Sequence, residues 1–153
     1  MMKRWRLALL ALAAGLLAAC GGSGGQSICG AQVCVTDTRL VRVGQGTIAL
    51  ILQVTEPDGS FDPEAPPRFA DGLHVTLVAE ENSRRILDRD FSAADISCLA
   101  GTNIPGAEGS LVAACLLTID ESELAAPPEA NGAVMLTLYS ETFPTALMEV
   151  QFP

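Results

Sequence analysis

Five cysteines and a single histidine are the side chains of this 153-residue chain best suited to thiol, metal or nucleophilic chemistry. Cys29 and Cys34 enclose four residues, and Cys98 and Cys115 bracket a stretch that holds Gly101, Pro105, Gly106 and Gly109. With Cys20 set aside, an even set of four reads as a disulfide framework if the chain matures in an oxidising compartment. Pairing of sequence neighbours, Cys29 with Cys34 and Cys98 with Cys115, is the favoured connectivity; its competitor joins the N-terminal segment to the Cys98 and Cys115 region. Gly30 can take the positive φ that a tight return needs. Cross-linking the second loop, which has little hydrophobicity of its own, is worth about 3 kcal/mol in the chain-entropy model. Zinc fits the four thiols less well, because Cys98 and Cys115 lack the close spacing of a ligand pair. No Cys-x-x-Cys accompanies a βαβ pattern, so a thioredoxin-like role has no support.

The remaining reactive residues are scattered. His74 alternates with apolar positions and reads as a half-exposed strand residue; no serine or cysteine motif accompanies it. G-x-S-x-G, H-E-x-x-H and phosphate-cradling glycine loops are missing. Asp88 and Asp90 share one side of a strand with Arg89 opposite, a spacing compatible with acid and base work on sugars and equally with a solvated edge. Asp58, Asp62 and Glu64 offer the hard oxygens that calcium prefers, but not at EF-hand spacing, and Pro63 restricts the backbone. These residues therefore define no catalytic group, metal site or cofactor. Phe61, Arg68 and Phe69 stand out differently, because aromatic residues beside arginine in a long loop form a composition enriched at binding hot spots. The alternative is that the two phenylalanines pin the loop to the domain.

A separate signal lies at the start. Lys3, Arg4 and Arg6 precede an apolar run over residues 7–19, then Leu17-Ala18-Ala19-Cys20 and Gly21-Gly22-Ser23-Gly24-Gly25. The run is shorter than the roughly 20 residues a membrane span needs and has the layout of an export signal. It resembles the lipobox of bacterial lipoproteins. The resemblance covers residues 1–20 and implies cleavage before Cys20, acylation of its sulfur and amino group, and lifelong attachment to membrane lipid, since each buried methylene contributes about 0.8 kcal/mol. It also implies a cell-envelope location. Gly21, in place of the aspartate associated with inner-membrane retention, leans towards the outer membrane facing the periplasm in a Gram-negative cell. An ordinary secretory signal would leave Cys20 a free thiol.

The expected organisation is a signal peptide at 1–19, a lipidated cysteine and flexible Gly/Ser tether at 20–27, and one domain at 28–153. The tether's root-mean-square reach is only about 15 Å, which holds the domain near the bilayer. Once the signal is removed, six arginines face 18 carboxylates, a formal charge of about −12. Such a surface repels phosphate backbones and anionic headgroups, which argues against nucleic acid as a partner.

Period-two patterning dominates the domain. Leu73, Val75, Leu77 and Ala79 alternate with His74, Thr76 and Val78, and Ala146, Met148, Val150 and Phe152 with Leu147, Glu149 and Gln151. Apolar runs at 47–54, 111–119 and 133–139 read as central strands. Gly44-Gln45-Gly46 and Glu81-Asn82-Ser83 close hairpins onto strands at 38–43 and 84–90, and residues 140–145, with Pro144, separate the last two strands. Helix is expected only as short turns at 92–96 or 122–126. This pattern, with one long loop at 56–72, predicts an all-β sandwich of immunoglobulin-like architecture with seven or eight strands. Antibody-type cysteine spacing is absent, and the only tryptophan lies in the signal. Two classes of function follow: a non-enzymatic module binding or scaffolding an envelope protein or a glycan, or an enzyme or enzyme subunit whose site leaves no sequence signature. A concave pocket with converging ionisable groups favours the enzyme; a flat apolar patch favours binding.

Overall fold

The computed structural model describes residues 27–153, so the signal peptide, Cys20 and nearly all of the tether lie outside the described residues. The alternating segments form antiparallel strands because each buries one row of side chains between two layers. In chain order these are β1 (Ile28–Cys29), β2 (Cys34–Gly44), β3 (Thr47–Thr55), β4 (Leu73–Ala79), β5 (Arg84–Phe91), β6 (Ile96–Gly101), β7 (Val112–Asp120), β8 (Ala133–Ser140) and β9 (Phe143–Gln151). They form a five-stranded sheet, β1-β2-β3-β7-β6, facing a four-stranded sheet, β5-β4-β8-β9. Leaving out two-residue β1 and lettering the others A, B, C, C′, D, E, F and G gives A-B-E-D against C′-C-F-G. This is an immunoglobulin-like β-sandwich.

The core lies between the sheets. Leu50, Leu52, Val54, Leu117 and Ile119 from one sheet meet Val75, Leu77, Leu136 and Leu138 from the other, all essentially inaccessible to water. The alternation read at β4 is borne out residue by residue, and in β9 Ala146 and Val150 are buried while Leu147 and Glu149 are exposed.

Helix occurs only as the expected short turns, single 3-10 turns at Ala93–Asp95 and Glu121–Glu123. Three details depart from expectation. There are nine strands among the described residues, because β1 is too short to show a period and β6 is built from small residues whose alternation is faint. Pro144 is not in the last turn but inside β9, next to a bulge between Leu138 and Ser140 of β8. An edge strand at a bulge tolerates the missing N–H. Finally, residues 102–111 are not held by a disulfide alone. Ile104, 4% exposed, packs with Ala49, Ile51, Val112 and Ala114 in a second cluster, on the far side of the five-stranded sheet from the main core. That roof explains why β3 and β7 read as continuous apolar runs: both of their faces are covered.

Candidate functional site

Both disulfides join directly opposed residues of neighbouring strands. Cys29 is the register partner of Cys34 across β1 and β2, and Cys98 of Cys115 across β6 and β7. The bridges are those pairs, with Cα separations of 3.9 and 4.0 Å. The pairing of sequence neighbours is thereby borne out, and the competing connectivity is not the one formed. The first bridge staples the start of the described chain to the sheet edge. The second ties the short edge strand β6 to the buried strand β7.

The aromatic and arginine residues of loop 56–72 separate by burial. Phe69 is 4% exposed and meets Phe143 edge-on at 5.7 Å between ring centres. Phe61 is half-buried against the main core, while Arg68 is exposed. Pro66 and Pro67 are buried too, and the Pro67 carbonyl oxygen lies 3.6 Å from Cys115 Sγ. Both phenylalanines thus act as clasps, and only the arginine is presented to solvent. The acidic stretch of the loop is occupied with its own turns: Asp58 accepts from the Ser60 amide at 2.9 Å and hydroxyl at 2.6 Å, and Asp62 from the Glu64 amide at 2.9 Å. The Ser60 hydroxyl, then its amide, hold the Asp58 carboxyl below the usual carboxylate range. Among the described residues, no three His, Cys, Asp or Glu side chains are grouped to hold a metal ion.

The structure assembles a different constellation. Across the β4–β5 hairpin, His74 stands opposite Asp90, and Asp88 is the next residue along the same face. His74 Nδ1 lies 2.6 Å from Asp90 Oδ1 and Nε2 lies 2.8 Å from Asp88 Oδ1, while Arg85 donates to Asp88 Oδ2 at 2.8 Å. A β-bulge creates this cluster. Ala79 pairs with Arg84 and Val78 with Arg85, yet Leu77 pairs with Leu87, so Ile86 is the extra residue. Without it, continuing the turn register would place His74 opposite Arg89, on the side away from both aspartates. Each of the three residues was recognised in the sequence, but the bulge that aligns them was not. Its one trace is the adjacent apolar pair Ile86-Leu87 breaking the alternation, both residues being buried.

His74 and Asp90 of this cluster form one wall of an open groove of about 590 Å³ at the end of the four-stranded sheet, while Asp88 and Arg85 lie outside it. Asp71 and Gly72 from the long loop, Asp95 from the first 3-10 turn, Tyr139 from β8 and Glu141 from the following turn complete it. Ser92 binds Asp95 through hydroxyl and amide at 2.8 and 3.3 Å, fixing that carboxylate at the rim. Gly72 is required at its position. It takes φ +72°, and any Cβ there would collide with the Phe91 carbonyl oxygen.

The chemistry open to the groove is limited. Both His74 nitrogens face carboxylate oxygens, so each has an aspartate, and not a hydroxyl or thiol, as its hydrogen-bond-range partner. In comparisons with known proteins, the chain matches no family model, no curated protein and no solved structure.

Proposed function

We propose that the protein is a lipid-anchored module of the cell envelope that binds or scaffolds an envelope protein or a glycan and performs no chemistry of its own. The observation that carries this reading is the clamped His74, whose two nitrogens are both engaged by aspartates. An immunoglobulin-like sandwich hosts enzymes and binders alike, so the choice rests on the site. The groove gathers ionisable groups in a concave surface, which favours an enzyme or enzyme subunit, but it brings no nucleophile and free base together. Anchoring rests on Leu17-Ala18-Ala19-Cys20 behind the basic start of the chain, and the location expected from Gly21 is the outer membrane facing the periplasm in a Gram-negative cell.

In cells expressing the full chain, in vivo cross-linking is expected to give a discrete adduct that persists in His74→Asn, and a palmitate analogue should label the wild type but not Cys20→Ser. Hydrolysis of an envelope glycan, peptide or ester that disappears in His74→Asn would overturn the non-enzymatic reading. Unchanged label in Cys20→Ser would overturn the anchor.

A further inference from the structure

The two sheets differ in what lies on their outer faces. Loop 102–111 roofs the five-stranded sheet and buries Ile104, Val112 and Ala114. The outer face of the four-stranded sheet carries no second buried cluster of this kind among the described residues, although apolar side chains flank its central threonines. Val78 and Met135, register partners on β4 and β8, are half-buried there, and Tyr139 and Leu147 are 49% and 63% exposed. Thr76 and Thr137 lie between them, and Thr137 stands beside Leu147. Carboxylates surround this field: Asp88 and Asp90 along β5, Glu149 on β9 and Glu141 in the β8–β9 turn. Of the basic side chains on the same face, Arg85 is paired with Asp88, and the His74 ring lies against both aspartates. Glu141 and Glu149 make no ion pair among the described residues.

We propose that this face docks a protein surface with an apolar centre and a rim of arginine or lysine. The proposal rests on the binding-module reading above and specifies its partner. An exposed aromatic in an apolar field inside a charged rim is the anatomy of an interface, where the centre supplies affinity and the rim supplies register and rate. Tyr139 is the anchor: its ring can lie under a guanidinium while its hydroxyl stays wet. The anionic rim selects a partner of opposite sign. A second copy of the chain is a poor occupant, because two surfaces carrying the same excess of carboxylates repel.

The test uses the full chain in detergent and two fluorescent probe peptides, one alternating leucine with arginine and the other leucine with glutamate. The arginine probe is expected to bind saturably at low salt and more weakly at high salt. Tyr139→Ala should weaken it by about tenfold or more and Leu147→Ala severalfold. Tyr139→Phe, which keeps the ring, should retain most of the binding, and Leu99→Ala on the other sheet all of it. Failure of the arginine probe to bind, equal binding of the glutamate probe, or equal loss in Leu99→Ala overturns the proposal. So does a concentration-dependent dimer in sedimentation that Tyr139→Ala abolishes, since the occupant is then a second copy. A photo-cross-linking residue placed at Thr137 or at Leu99 in cells separates this proposal from the reading beneath it. Adducts from position 99 alone defeat the face but leave a binding module; no partner adduct from either position, together with none in the general cross-linking above, defeats both.

Discussion

Gly72 shows how one residue can set both the fold and the groove. The chain leaves the long loop there at φ +72°, with its amide donating to the Phe69 carbonyl at 3.1 Å, and enters β4 hard against Phe91. Gly72→Ala should lower stability by about 1–3 kcal/mol through left-handed strain alone, and more if the Phe91 backbone cannot shift. A denaturant melt measures it, and wild-type stability would show that the entry relaxes. The exposed carboxylates give the acid response. Asp58 is depressed by Ser60, Asp120 by the hydroxyl and then the amide of Ser122, and Glu108 by the Gly106 amide, its own amide and the Arg39 charge. A carboxyl depressed in the folded state contributes stability that is present above its unfolded value and disappears as pH falls through its folded value. The melting temperature should therefore hold near neutrality and decline below about pH 4, and Asp58→Asn with Asp120→Asn should shallow that decline.

At the scale of elements, the long loop and the roof loop carry opposite lessons. Loop 56–72 was singled out for its aromatics, yet Phe69 belongs to the core. Phe69→Ala is expected to cost about 3–5 kcal/mol, whereas Arg68→Ala should stay within about 0.5 kcal/mol; thermal scans of the two variants decide it. In the roof loop, Ile104→Ala should cost about 2–4 kcal/mol, and Cys98→Ser with Cys115→Ser about 3 kcal/mol. Because both changes loosen one region, the triple variant should lose less than their sum. The edge strand β5 is guarded as well. Arg89 points inward over the Phe91 ring at 4.2 Å and reaches Glu123 at 2.7 Å, while the Ala125 amide donates to the Ile86 carbonyl. An inward charge and a covering segment both oppose unwanted strand pairing.

For the whole molecule, anchoring and folding should be separable. The sandwich is built from residues 28–153, so on the proposed anchoring Cys20→Ser is expected to shift the protein from the membrane to a soluble or precursor fraction. Mass spectrometry without reduction should still find Cys29–Cys34 and Cys98–Cys115 in that fraction. A precursor lacking those bridges would mean that folding waits for lipid attachment.

The sequence by itself determined the all-β sandwich, because burying one face of each strand between two layers writes a period of two into the residues. It favoured the neighbour disulfides and left a competing pairing open, because β1 and β6, which set Cys29 opposite Cys34 and Cys98 opposite Cys115, write no clear period into the sequence. Three features needed the tertiary structure. A bulge shifts register by one residue without changing composition, so no spacing rule could align His74 with Asp88 and Asp90. Ile104 reads as one apolar residue in a glycine-rich loop until the outer face of β3 and β7 comes beneath it. The apolar field around Tyr139 and Leu147 is likewise a property of four strands side by side: no single strand contains it, and only the packing decides which of the two sheets is left uncovered.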